Sequence, residues 1–557
     1  MQIKVKTRTI ENLLLIGLFI VVLLVTPYSS IDPINLPKMS ALGIFAFTIF
    51  ALTLPKLPGW IGVQHRKLIG LSLLFAFQLL LVLIFSGRSF TLNFYGIFGR
   101  NTGVLTYLSL LMVLFVSAVV ASQVMISRYV VTFFIIGVIL LCYGVIQHFG
   151  LEPFPFQNIY ANQVFGTFGN PNFHSAFMGI LGAIAFTTIW NKDLIKIFRL
   201  IAGLIFFLSI LSINSTNSWQ GFFNLAAGIG VAVILLAHQR GLQKLGNYLL
   251  VIGVLIVGMV GLGLLNQGPL ADVMSKASLT ARRIYWEAAL KMLFDHPFTG
   301  VGLDGFGDWF RRSRSTEAFK SYSGFISDSA HSVPLEIGAG GGFPLLVTYF
   351  GLLLLTLHSI IKVIKKQSNL NFGFITITAA WFSYQAQSLI SINQIGLGLI
   401  GWTLSGLIIG FASLGDDVAK AKEPKKNTRV SAQGRESSTF TSFVVPIIGL
   451  IVSCLISLPP FIASNRFYEG LKTSDARVVV EKAYAKPLDP RRLLIAVNIL
   501  ERNKFYKESF EMTKFTSQEF PDSYEVWTTL RSLTNASDND KLQATKQLSR
   551  LEPNIKP

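Results

Sequence analysis

The chain has 557 residues, 51% of them hydrophobic and 14% charged, with a mean hydropathy of +0.54. An ordinary soluble globule is excluded, because such a fold needs far more polar surface. The formal charge of +19, from 48 Lys and Arg against 29 Asp and Glu, would suit nucleic acid, but the cations cluster in alternate short loops between apolar runs, which is a topology signal.

Crossing a hydrocarbon core of roughly 30 Å takes about 18 to 25 apolar residues, and the chain offers about thirteen such runs. They lie near residues 11–27, 39–55, 68–86, 103–122, 129–148, 173–190, 197–213, 221–238, 248–265, 333–361, 371–391, 396–414 and 441–461. The fold class is therefore an all-α polytopic membrane protein. Its predicted parts are an N-terminal bundle (1–265), a long polar loop (266–332), three further spans (333–414), a basic linker (415–440), a last span (441–461) and a tail (465–557). Lys4, Lys6 and Arg8, then Arg66 with Lys67, Lys192 with Lys196, Arg240 with Lys244, Lys362 with Lys365 and Lys366, and the linker all share one parity. Those segments are expected in the cytoplasm, which puts the long loop and the tail outside. The first run has a basic start like a signal peptide. Thr26-Pro27-Tyr28 leads straight on toward the next span, so it reads as a retained helix. Cys142 and Cys454 fall in separate spans and read as buried apolar fillers without a disulfide.

The long loop carries the chemistry. Loops between packed helices are usually short, so one of this length is more often functional than connective. Thr280 is a candidate N-cap for a helix to about Phe294, which sets Arg282 and Trp286 one turn apart, with Arg283, Glu287 and Lys291 on another face. Arg283 thus has an acid partner at i+4, and Arg282 has none. A guanidinium beside an indole above a membrane suits a phosphate or pyrophosphate group, or a lipid headgroup or distant carboxylate. His331 stands just before the next span and three residues after Asp328. It could take a proton from an attacking hydroxyl, with the acid orienting it, or serve only as an interfacial hydrogen-bonding residue. His296 belongs to the turn Asp295-His296-Pro297 and reads as structural. No histidines, cysteines or carboxylates have metal-ligand spacing, and no nucleotide-binding glycine pattern stands in a suitable context.

In the tail, Pro487, Asp489-Pro490, Pro521-Asp522 and Glu552-Pro553 punctuate a helical pattern, at intervals of roughly 31 or 32 residues. A TPR-like pair of helical repeats and an ordinary small helical domain both fit, and either would serve as a docking module for a protein partner. Ala483, Tyr484, Leu493, Ala496, Leu500, Tyr506, Phe510, Trp527 and Leu530 are the expected packing positions.

Taken together, Arg282, Trp286, Ala289-Leu290, Asp295-His296-Pro297, Gly300 and Gly302, followed by Ala330-His331 and a glycine-rich start to a long span, form a recognisable order. With Gly99-Arg100-Asn101-Thr102-Gly103, Gly166 to Asn172, Gln385-Ala386-Gln387-Ser388 and Trp402 to Gly406, it resembles the O-antigen ligase and polymerase superfamily over roughly residues 90 to 412. The resemblance implies a metal-independent, inverting membrane glycosyltransferase of the GT-C type, with no cofactor. It would take a glycan from an undecaprenyl-pyrophosphate carrier and pass it, outside the cytoplasmic membrane, to a glycan, lipid, protein or cell-wall acceptor. Arg282 would bind the pyrophosphate and His331 would act as base, with Arg100, Trp286, Asp328 and Arg283 as candidate substrate-binding residues. Family members commonly carry a second arginine where this chain has Ser218-Trp219, and Arg100 is the candidate replacement. The usual His-Asn pair is His331-Ser332 here, and Ser329 stands where an arginine is often found. A flippase or exporter of lipid-linked glycans is the rival reading. It predicts internal repeats and deep charges, whereas Gln78, Asn224, Gln385 and Gln387 are uncharged.

Overall fold

The computed structural model describes residues 7–62, 65–156, 163–264, 267–269, 277–321, 326–367, 369–421, 439–473 and 475–554. Among them every regular element is a helix. In lipid a helix satisfies its own backbone polar groups, so long apolar runs have no cheaper conformation. Each span expected from the sequence falls on a helix, and nine of the described helices are long and apolar enough to cross a membrane. A tenth forms if the bent pair Val444–Ser457 and Pro459–Lys472, which meet at 45°, counts as one span. Thr7–Leu23 and Val104–Val119 fall short with 17 and 16 residues. Phe372–Ile390 is diluted by Thr376, Thr378, Ser383, Gln385, Gln387 and Ser388. The basic linker from 422 to 438 lies outside the described residues.

Burial sorts the spans. Ile395–Leu414 is buried along its whole apolar window and packs on Val104–Val119, while Gln243–Gly263 is 6% buried and presents its side chains outward. The bundle shares one apolar core, and two smaller cores lie beside it. Cys142 and Cys454 are free, and Cys142 is exposed where a buried filler was expected, because its side of the helix faces away from the bundle.

The C-terminal helices Ala476–Ala483, Pro490–Arg502, Tyr506–Glu519, Tyr524–Ser532 and Asp538–Leu551 close on Ala483, Leu493, Ala496, Leu500, Trp527 and Leu530. Phe510 is partly buried, but Tyr484 and Tyr506 are each 37% exposed. The Tyr484 ring meets Phe515 edge-on at 5.3 Å. Asp489 caps its helix by accepting from the Arg491 and Arg492 amides, with Pro490 in the first turn.

Candidate functional site

Three pieces of chain meet beside the bundle. The first is the helix Ala277–Asp295, here the loop helix, which packs on the long helix Val333–Lys366. It begins three residues before Thr280, so Thr280 lies inside it and is not its N-cap. Ala281, Ile284, Tyr285, Ala288 and Met292 join Val301, Phe306, Phe310 and Ala330 in a separate apolar core. Ala330 precedes His331, and Ala281 precedes Arg282, so this core brings the two candidate residues into one neighbourhood.

The turn after the loop helix is pinned to the long helix. Gly300, at φ 59°, lies so close that a Cβ there would come within 2.4 Å of the Ala339 carbonyl oxygen. The Val301 amide donates to that carbonyl at 2.9 Å, and the Phe343 amide donates to the Pro297 carbonyl at 2.8 Å. Gly342, at φ 73°, breaks the long helix to admit the turn. The glycines read as sequence motif are thus a backbone-to-backbone contact. His296 sits edge-on to Trp309 at 4.5 Å, a packing role.

His331 is the geometric centre of the site. It adopts φ 52°, a left-handed conformation that costs a non-glycine residue about 1–3 kcal/mol. The surrounding turn is fixed by buried Glu336, whose Oε2 accepts from the Ala330 amide at 2.6 Å and the Ser329 hydroxyl at 2.8 Å. Two hydrogen bonds to one buried carboxyl oxygen, each worth about 0.5–1.5 kcal/mol, offset a cost of that size. Nδ1 of His331 faces the Ser329 carbonyl at 3.1 Å. A carbonyl only accepts, so Nδ1 carries the proton and Nε2 keeps the lone pair. The ring lies 5.1 Å from Tyr285, which meets Phe310 edge-on at 5.5 Å. Burial pushes the imidazole down to about 4, and the Arg100 and Arg282 charges act in the same direction against the Ser329 carbonyl and Asp328.

The four candidate cations and acids divide. Arg283 pairs with Glu287 at 3.1 Å, as the i+4 spacing predicts, while Lys291 turns to Asp295 at 2.8 Å. Arg282 makes no ion pair or hydrogen bond among the described residues; burial pulls its guanidinium below the ordinary value, with Tyr285 opposing. Trp286, one turn on, has its buried indole N–H without a partner among the described residues. Arg100 grips Asp328 with two hydrogen bonds, 2.5 and 3.1 Å. Desolvation would raise Asp328, but Arg100 outweighs it and holds the carboxyl below its usual range. Asp328 therefore serves Arg100, and the Ser329 carbonyl orients the imidazole that the sequence assigned to Asp328.

The Arg100 loop is bolted at both ends. Asp304, also left-handed at φ 57°, accepts from the Ile97 and Thr102 amides at 2.8 and 3.1 Å and from the Thr102 hydroxyl at 2.9 Å. Asp32 accepts from the Gly99 amide at 3.1 Å, and Asn35 donates to the Gly99 carbonyl at 2.6 Å. Burial raises both carboxyls, and these donors oppose it. Arg88 reaches Asp308 at 2.6 Å. Sequence reasoning passed over Glu336, Asp304, Tyr285 and Arg88. The available signals were an acid one turn past His331, in the first turn of the long helix, and an Asp-Gly pair just after the quoted glycines. Trp219, where a second arginine was expected, is 77% exposed. Among the described residues no three His, Cys, Asp or Glu side chains gather as a metal site.

The class this defines is a multi-pass helical membrane protein in which the segment before the long helix sets one histidine within electrostatic reach of two guanidiniums. Residues 204–350 match the family model for O-antigen ligase, the stretch that contains Arg282, Trp286, Asp328 and His331. The resemblance to the O-antigen ligase and polymerase superfamily is borne out over that stretch, and the family suggests glycan transfer of the ligase or polymerase type. No curated protein matches the chain.

Proposed function

We propose that the chain is a GT-C-type glycosyltransferase that passes a glycan from an undecaprenyl-pyrophosphate carrier to an acceptor hydroxyl at the outer face of the cytoplasmic membrane. The observation that carries this is the His331 imidazole, held with Nδ1 protonated against the Ser329 carbonyl and neighboured by the unpaired Arg282. The acceptor hydroxyl gives its proton to Nε2 while its oxygen bonds to the anomeric carbon. The bond from that carbon to the carrier breaks, and its electron pair leaves on the pyrophosphate. Arg282 and the Trp286 N–H balance that charge, and attack opposite the leaving group inverts the centre. No step calls on a metal or nucleotide. Arg100 keeps Asp328 and so shapes the acceptor side. The loop and the C-terminal helices touch each other, which fits both lying on the outer face. A TPR-like role for those helices belongs to the same reading.

The test compares wild type with His331→Ala and Arg282→Ala at matched expression, blotting surface glycan and extracted lipid-linked intermediates. Loss of transferred glycan with donor accumulating outside supports the proposal, and the size of the residual product separates ligase from polymerase. Normal glycan in both variants, or donor held only on the cytoplasmic face, removes it and moves a flippase ahead.

A further inference from the structure

The helix Phe306–Ser313 lies between the His331 region and the C-terminal helices. One face is apolar: Phe306 and Phe310 enter the loop core, and Phe310 meets Tyr285, which in turn stacks near His331. On the same helix Gly307 lies against Asp328, where an added Cβ would come within 3.1 Å of the Asp328 Cα.

The other end carries three arginines, and every one is met by the C-terminal helices. Arg314 donates to Glu552 at 2.6 Å, and Arg311 comes within 3.6 Å of the same oxygen while stacking over Tyr524 at 3.9 Å. Arg312 donates to Asp522 at 3.0 Å, where Arg550 also arrives at 3.0 Å. Thr316 adds a bond to Asn554 at 2.9 Å. The Glu552 and Arg314 side chains are 0% and 2% exposed, so this is a buried ion pair and not surface decoration. Such pairs contribute little net stability but fix geometry, and removing one partner leaves charge buried without compensation. A site for an external anion is a poorer reading of the arginines, because carboxylates of the chain already occupy them.

We infer that the C-terminal helices clamp the Phe306–Ser313 helix, with Glu552 as the positioning residue that keeps it seated against Tyr285 and Asp328. The tail's apolar core is built on Leu493, Ala496, Leu500, Trp527 and Leu530, with Leu92 of the bundle side joining it. The Glu552 carboxylate points at the loop. The clamp sets the loop in register from outside the matched family segment, so the tail is an integral support of the site. Its effect on transfer rests on the reading under Proposed function; its effect on the loop does not.

The experiment uses the full chain in lipid nanodiscs, as wild type, Glu552→Gln and Asp522→Asn. Hydrogen exchange is followed in peptides covering 306–313 and 326–332, with 493–500 and 527–530 as internal controls. Glu552→Gln should speed exchange in the loop peptides by about tenfold or more and leave the control peptides unchanged. Asp522 is more exposed, so its variant should show the same pattern more weakly, and it stands in if Glu552→Gln does not accumulate. Loop peptides that exchange as in wild type, or controls that loosen equally, overturn the clamp. Transfer is measured on the same samples. A fall in kcat of about tenfold with the donor KM little changed is the expected result. A loosened loop with full transfer, while His331→Ala is inactive, overturns the positioning role. If His331→Ala is also fully active, the transferase reading falls and the exchange result alone judges the clamp.

Discussion

If His331 is the acceptor base, its acid limb is the sharpest quantity available. An unperturbed imidazole titrates near 6.5, whereas burial and two guanidiniums bring this one to about 4. At pH 6 an ordinary histidine would be about three-quarters protonated and His331 about 1%. The pH dependence of kcat/KM reports the free enzyme, so that limb should fall near pH 4. A bound pyrophosphate opposes the Arg282 charge, so the limb in kcat should lie above the limb in kcat/KM. Arg282→Met removes one depressing charge and should raise the kcat/KM limb, by roughly a unit. Asp328→Asn removes an opposing negative charge and should lower it.

The assay is initial-rate transfer from a synthetic polyprenyl-pyrophosphate glycan in nanodiscs between pH 4 and 8. A kcat/KM limb at 6.5 that ignores both substitutions would falsify the assignment of His331 as the titrating base. The same shift has a stability sign. The folded imidazole binds its proton less readily than the unfolded one, so its contribution is fully present above about 6.5 and is lost as pH falls toward about 4. The loss is roughly 3 kcal/mol at most, before the discount for the partial exposure of the ring.

Three further outcomes follow from named contacts. Arg282→Ala should cut kcat/KM by about 10²–10³, since it removes the charge proposed to balance the departing pyrophosphate, and Arg282→Lys should recover only part, both read in the same transfer assay. Glu336→Ala should release the Ala330 amide and Ser329 hydroxyl and lower kcat at least about tenfold, while Glu336→Gln, which keeps an acceptor oxygen, should retain most activity in matched preparations. Asp304→Ala strips three bonds from the Arg100 loop and should destabilise the protein by about 2–4 kcal/mol, seen as a lower thermal midpoint in detergent.

Apolar length and local spacing were legible in the sequence. The spans fell on helices, and Arg283 found Glu287, because both depend on residues within one or a few turns. Arg282, with no acid at i+4, makes no ion pair among the described residues. Long-range pairing was not legible. Arg100 and Asp328 stand 228 positions apart, and Asp304 and Thr102 stand 202 apart, so no local rule selects those partners. The histidine's orienter was misassigned for a related reason. Asp328 is three residues from His331, but a left-handed residue at 331 turns the ring onto the Ser329 carbonyl and leaves the acid facing another loop.

That rearrangement bears on how one site could use two arginines differently. A guanidinium held to a carboxylate by two bonds has two of its five N–H donors engaged and a counter-charge beside it, so Arg100 contributes chiefly shape: it ties the 99–103 loop to the turn that carries His331. Arg282 keeps its donors among the described residues, at the expense of partial burial. An uncompensated cation next to a base also keeps that base neutral, since protonation would place a second positive charge beside the first. Arg282 would therefore act twice in the proposed reaction, holding the leaving pyrophosphate and keeping His331 able to accept a proton before the donor arrives. Once the donor's negative charge is in place the opposition weakens, and the imidazole becomes a stronger base in the complex than in the free enzyme.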